Sequence, residues 1–259
     1  MTGSASAAAP VRPLAIDQPL RWLTLGWRDF TRVPGPSLLH GLVFLLAGGT
    51  IATIGWGRND LLAGAFSGFL LLAPMLSCGL YELSRRLARD ERPSLRDAAA
   101  VWLNGGAQMV RLGLLLAVLG SLWVALSVLI VSAFASGAGR GGGVGEFMIG
   151  FVLSPNPWPF LLWLVADGVF AALVFAISAV SVPMLLDREV SLGTAVLTSV
   201  SAVGSNPVPM ALWAALVMLI VLAGLVTVFP LVVLVPWIGH ATWHAYADTV
   251  DADGLPPRT

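Results

Sequence analysis

The chain has 259 residues, 57% of them apolar and 11% charged, with fourteen basic and fourteen acidic side chains and no net charge; its mean hydropathy is +0.86. That balance excludes an ordinary soluble domain, in which about a quarter of residues are charged, and the zero net charge offers nothing to a nucleic acid. Every basic residue is arginine, which excludes lysine-dependent phosphate binding and Schiff-base chemistry, and Cys78 has no second cysteine for a disulfide or thiolate cluster.

Residues 1–16 are rich in Ala and Ser and lack an apolar core, so they read as a disordered tail and not as a signal peptide. A first amphipathic stretch follows behind Asp17 and Pro19. Leu20, Leu23, Trp27 and Phe30 recur at helical spacing, and Arg21, Arg28 and Asp29 take polar positions, so this helix is expected along a membrane surface. Apolar spans are then expected at 38–56 and 61–83, each long enough to cross about 30 Å of hydrocarbon. A second surface helix opens on Ser94-x-x-Asp97, a capping-box spacing, and places Leu95, Ala98, Ala99 and Trp102 on one side before a third span at 110–136.

The glycine-rich segment 137–157 resembles a phosphate loop in composition only, since no Lys-Ser or Lys-Thr follows, and reads as an external linker. A fourth span at 158–186 leads to a third surface helix from Ser191 to Ser205. From Val208 to Ala247 the chain carries no charge, which allows spans at 208–228 and 230–247 if it turns tightly near Phe229 and Pro230; one span with a re-entrant segment is the alternative. Residues 249–259 read as a second disordered tail, leaving 17–248 as one transmembrane domain.

On this six-span arrangement twelve arginines fall on one side and only Arg58 and Arg140 on the other, so both termini are expected in the cytoplasm. The unit of surface helix, span and span would occur three times. Pro74-Met75-Leu76 matches Pro183-Met184-Leu185, Pro236 holds a comparable place, and Ser94-Leu95-x-x-Ala98 matches Ser191-Leu192-x-x-Ala195.

Three places could carry chemistry. His240 and His244 stand one turn apart on a helix face, near Trp237 and Asp248, and with His40 could ligate a metal or haem. The other reading makes them hydrogen-bonded interfacial side chains, with Trp237, Trp243 and Tyr246 anchoring the helix end among headgroups. Ala241 stands where a zinc protease needs Glu, which excludes that motif, and no cofactor is expected. Asp167, several residues inside the fourth span, needs a partner or a water-filled cavity unless it reaches the headgroups. Arg85, Arg86, Arg89 and Arg92 form a basic collar with Glu82, Asp90 and Glu91, suited to anionic lipid. No serine-hydrolase motif occurs.

Four stretches together resemble a bacterial family of integral membrane proteins, DUF2189: Gly79-Leu-Tyr-Glu-Leu-Ser-Arg-Arg-Leu87, Ser181-Val-Pro-Met-Leu-Leu-Asp-Arg188, Asn206-Pro207 with Trp213, and Gly239-His-Ala-Thr-Trp-His-Ala-Tyr246. The resemblance runs from about Leu20 to Ala247 and leans most on the last stretch; Ala247 departs from it, standing where a basic residue is expected. It implies a multi-pass protein of the bacterial inner membrane with no assigned activity. Some members are labelled cytochrome c oxidase subunits, yet three histidines are too few for a haem-copper centre. The expectation is an all-α polytopic bundle in contact with the lipid bilayer and with other membrane proteins. It is expected to be non-enzymatic, structural or accessory, with a small transporter using Asp167 and proline-kinked spans as the rival.

Overall fold

The computed structural model describes residues 7–55, 65, 68–69, 73–104, 106–134 and 148–258. The described residues form helices α1 (Gln18–Arg32), α2 (Pro34–Ile54), α3 (Cys78–Leu87), α4 (Leu95–Asn104) and α5 (Gly106–Phe134). After a π-helical turn at Met148–Val152 come α6 (Trp158–Ser178), α7 (Ser181–Asp187), α8 (Leu192–Ser205), α9 (Pro207–Thr227) and α10 (Leu231–Thr249). No strand occurs among them; Val11 bridges Val250, and Arg188 bridges Pro257.

Among the described residues four stretches are long and apolar enough to cross a membrane: Pro34–Ile54, Gly106–Phe134, Trp158–Asp187 and Pro207–Leu225. They answer to the first, third, fourth and fifth expected spans. Residues 61–64, 66–67 and 70–72 of the second, and residues 137–147 of the glycine-rich loop with Trp56, Arg58 and Arg140, lie outside the described residues. The sixth corresponds to α10, whose 19 residues include His240, Thr242, His244 and Asp248 and are less apolar than the other four stretches. The membrane helices show lipid-facing rows. On α5, Val110, Leu114, Val118 and Leu122 recur every fourth residue and are exposed, while Leu112, Leu116 and Trp123 are buried.

Helix starts follow local chemistry. Asp97 Oδ2 accepts from both the N–H and the hydroxyl of Ser94, each at 2.7 Å, and Ser191 Oγ accepts from Thr194 N at 3.0 Å. Pro207 stands at the first position of α9, where its missing N–H costs nothing. The reversal between α9 and α10 falls at Val228–Pro230, with Val228 held at φ 68°, a strained value for a β-branched residue.

The contacts divide the chain into two compact units. One comprises Leu46–Ala73 and Leu114–Val174 and is centred on Ile130, Val131 and Phe151. Within it Trp163 Nε1 donates to Ser127 Oγ at 2.6 Å.

The other comprises Met1–Leu45, Pro74–Gly113 and Phe175–Thr259. At its centre α3, α7 and α10 pack on one another, and each also packs against a surface helix: α4 on α3, α8 on α7, and α1 on α10. Trp22, Met210, Trp213, Ile238, Ala241 and Ala245 form an apolar cluster there, with Trp22 and Trp213 edge to face at 5.6 Å.

Two glycines let backbones meet. A Cβ on Gly26 of α1 would lie 2.5 Å from Ala241 N, and one on Gly41 of α2 would lie 2.0 Å from Val232 O. The second contact falls one turn before a proline. Pro236 has no N–H for the carbonyl four residues before it, and that carbonyl, Val232 O, is the one that lies against Gly41.

Where the structure describes the terminal segments, at residues 7–16 and 250–258, hydrogen bonds tie them to the helices. Ala9 N donates to Thr198 Oγ1 at 2.8 Å, Leu14 N to Asn206 Oδ1 at 2.8 Å, and Arg12 N to Thr249 O at 2.8 Å. At the other end Glu189 N donates to Pro256 O and Arg258 N to Asp187 O, both at 2.9 Å. The helix ends offer these segments a ladder of donors and acceptors.

Candidate functional site

His240 is fully buried one turn beyond Pro236 on α10. Its Nε2 lies 2.9 Å from Ser37 Oγ on α2, and its Nδ1 lies 2.8 Å from Ser84 Oγ on α3. Ser84 in turn donates to Asp29 Oδ2 on α1 at 2.7 Å, and His244 Nε2 meets the same carboxylate oxygen at 2.8 Å. Four helices are thus joined through one chain of polar groups from which water is almost wholly excluded.

Counting protons limits the states of this chain. Each serine has one hydroxyl proton. Ser37 is 2.7 Å from Val33 O, and Ser84 is 2.7 Å from Asp29. If both hydroxyls donate to those oxygens, they can only accept from His240, and both imidazole nitrogens must carry hydrogen. In a neutral His240 one serine turns its proton to the ring and gives up its other acceptor. A neutral ring with hydrogen on Nδ1 satisfies the whole chain, since Ser84 accepts from it and donates to Asp29 while Ser37 donates to Nε2, and Val33 O keeps the Ser37 N–H at 3.2 Å. Burial by itself would raise the Asp29 carboxyl, but hydrogen bonds from His244 and Ser84, with the charges of His244 and His240, outweigh it and hold the group below its usual value.

Further buried and half-buried acids are matched nearby. Glu82 takes two hydrogen bonds from Arg85, at 2.7 and 3.1 Å, and one from Arg86 at 2.7 Å. Asp187 receives Tyr246 OH at 3.0 Å and lies 3.1 Å from Arg188 and 3.4 Å from Arg89. Asp248 Oδ2 accepts from Gln18 Nε2 at 2.5 Å and from Trp22 Nε1 at 2.8 Å.

This arrangement is not a hydrolase triad. There the imidazole stands between the nucleophile and the carboxylate, whereas Ser84 stands between His240 and Asp29. Ser37 and Ser84 are fully buried. The described cavity, of about 230 Å³, is lined by Met75, Cys78, Val101, Trp102, Gly106, Met109, Val110 and Gly113 and touches none of these groups.

The three histidines have separate employments. His40 Nε2 donates to Leu76 O at 2.8 Å, His240 is held between two serines, and His244 pairs with Asp29. Among the described residues no group of three or more His, Cys, Asp or Glu side chains gathers where it could hold a metal ion.

Other expected sites also fall differently. Trp243 and Tyr246 are buried, with ring centroids 5.4 Å apart, because α1, α3 and α7 cover this part of α10; they anchor protein to protein, not to headgroups. Trp237 is partly buried and donates to Leu23 O at 2.7 Å. In the collar, Arg85 and Arg86 are engaged by Glu82, and Arg89 by Asp187, while Arg92 is exposed with no ion pair among the described residues. Asp167 is partly buried on α6 and has no hydrogen-bond partner among the described residues.

Asp29, Ser37 and Ser84 are not among the site residues expected from the sequence, where Asp29 stands only as a polar position of the first surface helix and Ser84 only within the Gly79–Leu87 stretch. Asp29 carried a signal, since it stands seven residues after Trp22, two turns along the same buried face of α1.

Residues 61–187 match the family described as predicted integral membrane protein, DUF2189. This stretch is a DUF2189 domain. It supplies α3, with Glu82 and Ser84, and α7, with Asp187. Asp29, Ser37, His240 and His244, and with them the Gly239–Tyr246 stretch, lie outside the matched residues. No curated protein and no solved structure matched the chain.

Proposed function

We propose that this DUF2189 protein is a non-enzymatic structural or accessory protein of the bacterial inner membrane. The observation that carries this reading is the internal use of the buried and half-buried polar groups: His240, His244, Asp29, Glu82, Asp187 and Asp248 each bond to partners within the chain. A catalytic or transport site keeps such groups poised towards a ligand.

The chain crosses the bilayer six times in this reading, with both termini in the cytoplasm. Support comes from four apolar stretches, from α9 and α10 reversing at the expected turn, and from an arginine distribution of twelve against two. The mutual packing of α3, α7 and α10, each with its own surface helix, supports the threefold repeat.

A second reading, a small proton or cation pathway, is favoured by one observation, the partly buried Asp167 with no partner among the described residues. Purification in several mild detergents followed by native mass spectrometry tests the first reading. A protein partner is expected at fixed stoichiometry, and a bare chain in all of them overturns it. Proton or cation flux in proteoliposomes that is abolished by Asp167→Asn would establish the second reading instead.

A further inference from the structure

The collar that the sequence offers to anionic lipid is largely occupied by the protein itself, since Arg85, Arg86 and Arg89 face Glu82, Glu91, Asp97 and Asp187. Arg92 and Arg96 are exposed there without an ion pair among the described residues, and a row of three such arginines stands on α1. Arg21, Arg28 and Arg32 are all exposed and make no ion pair among the described residues. The acid of α1 itself, Asp29, is turned inward to Ser84 and His244. Asp17, exposed one turn before Arg21, makes no ion pair with it and leaves the row with a positive excess.

The rest of the exposed surface of α1 is not polar. Leu20 is 54% exposed and Trp27 46%, which is unusual for large apolar side chains on a helix that already buries Trp22 and Phe30. Between them lie Thr24 and Thr31, whose hydroxyls donate back to Leu20 O at 3.0 Å and Arg28 O at 2.9 Å. With those donors used inside the helix, Leu20, Thr24, Trp27 and Thr31 form a strip with no free hydrogen-bond donor on its side chains except the Trp27 indole N–H. At about 100° per residue this strip and the arginine row are centred roughly 90° apart on the helix. That is the division of a helix lying in an interface, with one strip at the acyl boundary and cations level with phosphates. The chain places α1 there, because Pro34 opens the membrane helix α2 directly after it.

We infer that the outward face of α1 is a docking surface for anionic phospholipid headgroups, with Arg21, Arg28 and Arg32 on the phosphates and Leu20 and Trp27 at the acyl boundary. The occupant is the leaflet in which the protein sits. Docked this way, the lipid presses on the helix that supplies Asp29 to the buried chain, so anionic lipid stabilises the packing of α1 on α10.

The test uses the full chain in nanodiscs of phosphatidylcholine alone or mixed with phosphatidylglycerol. Wild type and R21K/R28K/R32K are expected to retain phosphatidylglycerol preferentially in native mass spectrometry and to melt higher in the mixed discs. R21Q/R28Q/R32Q is expected to lose that preference, by about fivefold for each arginine and roughly a hundredfold for three. An unchanged preference in the Gln variant overturns the inference, as does a preference lost equally in the Lys variant. Bromine-labelled lipid gives an independent reading that holds even if the Gln variant does not fold. Quenching of the wild type is expected to exceed that of Trp27→Phe, and equal quenching, as when a protein covers this face, overturns the inference.

Discussion

Ser84→Ala removes the single oxygen that joins His240 to Asp29. Ser84 Oγ is fully buried, 2.8 Å from His240 Nδ1 and 2.7 Å from Asp29 Oδ2. Alanine deprives the imidazole of its only partner at Nδ1, while Asp29 keeps His244 at 2.8 Å. One buried nitrogen left unsatisfied costs about 1–3 kcal/mol, and a lost hydrogen bond to a charged carboxylate about 1.5–3 kcal/mol. The sum is about 2.5–6 kcal/mol. A chain of this length loses about 2–4 °C per kcal/mol, so the melting temperature is expected to fall by roughly 5–24 °C. Tryptophan fluorescence of the detergent-solubilised protein reads this directly, and the exposed Thr24→Ala serves as a control, expected within about 0.5 kcal/mol of wild type. In a double-mutant cycle with His240→Ala the losses should be strongly non-additive, with a coupling of about 1–3 kcal/mol. A Ser84→Ala shift no larger than that of Thr24→Ala, or additive losses with His240→Ala, refutes the proposition that this chain of hydrogen bonds holds the four helices together.

Gly41→Ala should separate α2 from α10, since the new Cβ would lie 2.0 Å from the Val232 carbonyl oxygen; a loss of about 1–3 kcal/mol is expected in thermal unfolding, although alanine by itself favours a helix by about 1 kcal/mol. The lowered Asp29 carboxyl sets a pH dependence. A group whose folded value is depressed adds stability that is complete above its ordinary value, near 3.9 for Asp, and is lost as pH falls through the lower folded value. The melting temperature should therefore decline in that acid range, and Asp29→Asn should be less stable at neutral pH and flatter below it; parallel curves for the two proteins would exclude the carboxylate as the source.

The helices and the lipid contact were legible in the sequence because both depend on local composition. An uncharged run of about twenty residues must satisfy its own backbone in hydrocarbon, and a helix does so without reference to any other part of the chain. The surface helix at Ser94 was legible for a similar reason, since Ser94 and Asp97 bond across three residues. The roles of individual polar residues were not local. His240 meets Ser37 across 203 residues and Ser84 across 156, and His244 meets Asp29 across 215.

Composition and periodicity determined that this protein is helical and membrane-embedded. Tertiary structure decided what its polar groups do. Spacing along α10 makes His240 and His244 resemble a metal pair. Packing of α1, α2 and α3 against the same helix brings serines and a carboxylate close enough to use those imidazoles first, because a buried polar group bonds to whatever complementary atom is within reach when water is excluded. The same packing covers Trp243 and Tyr246 and leaves Trp27 outside. Which aromatic side chains meet lipid therefore depended on which helix lay over which, and that is information carried by contacts between distant segments.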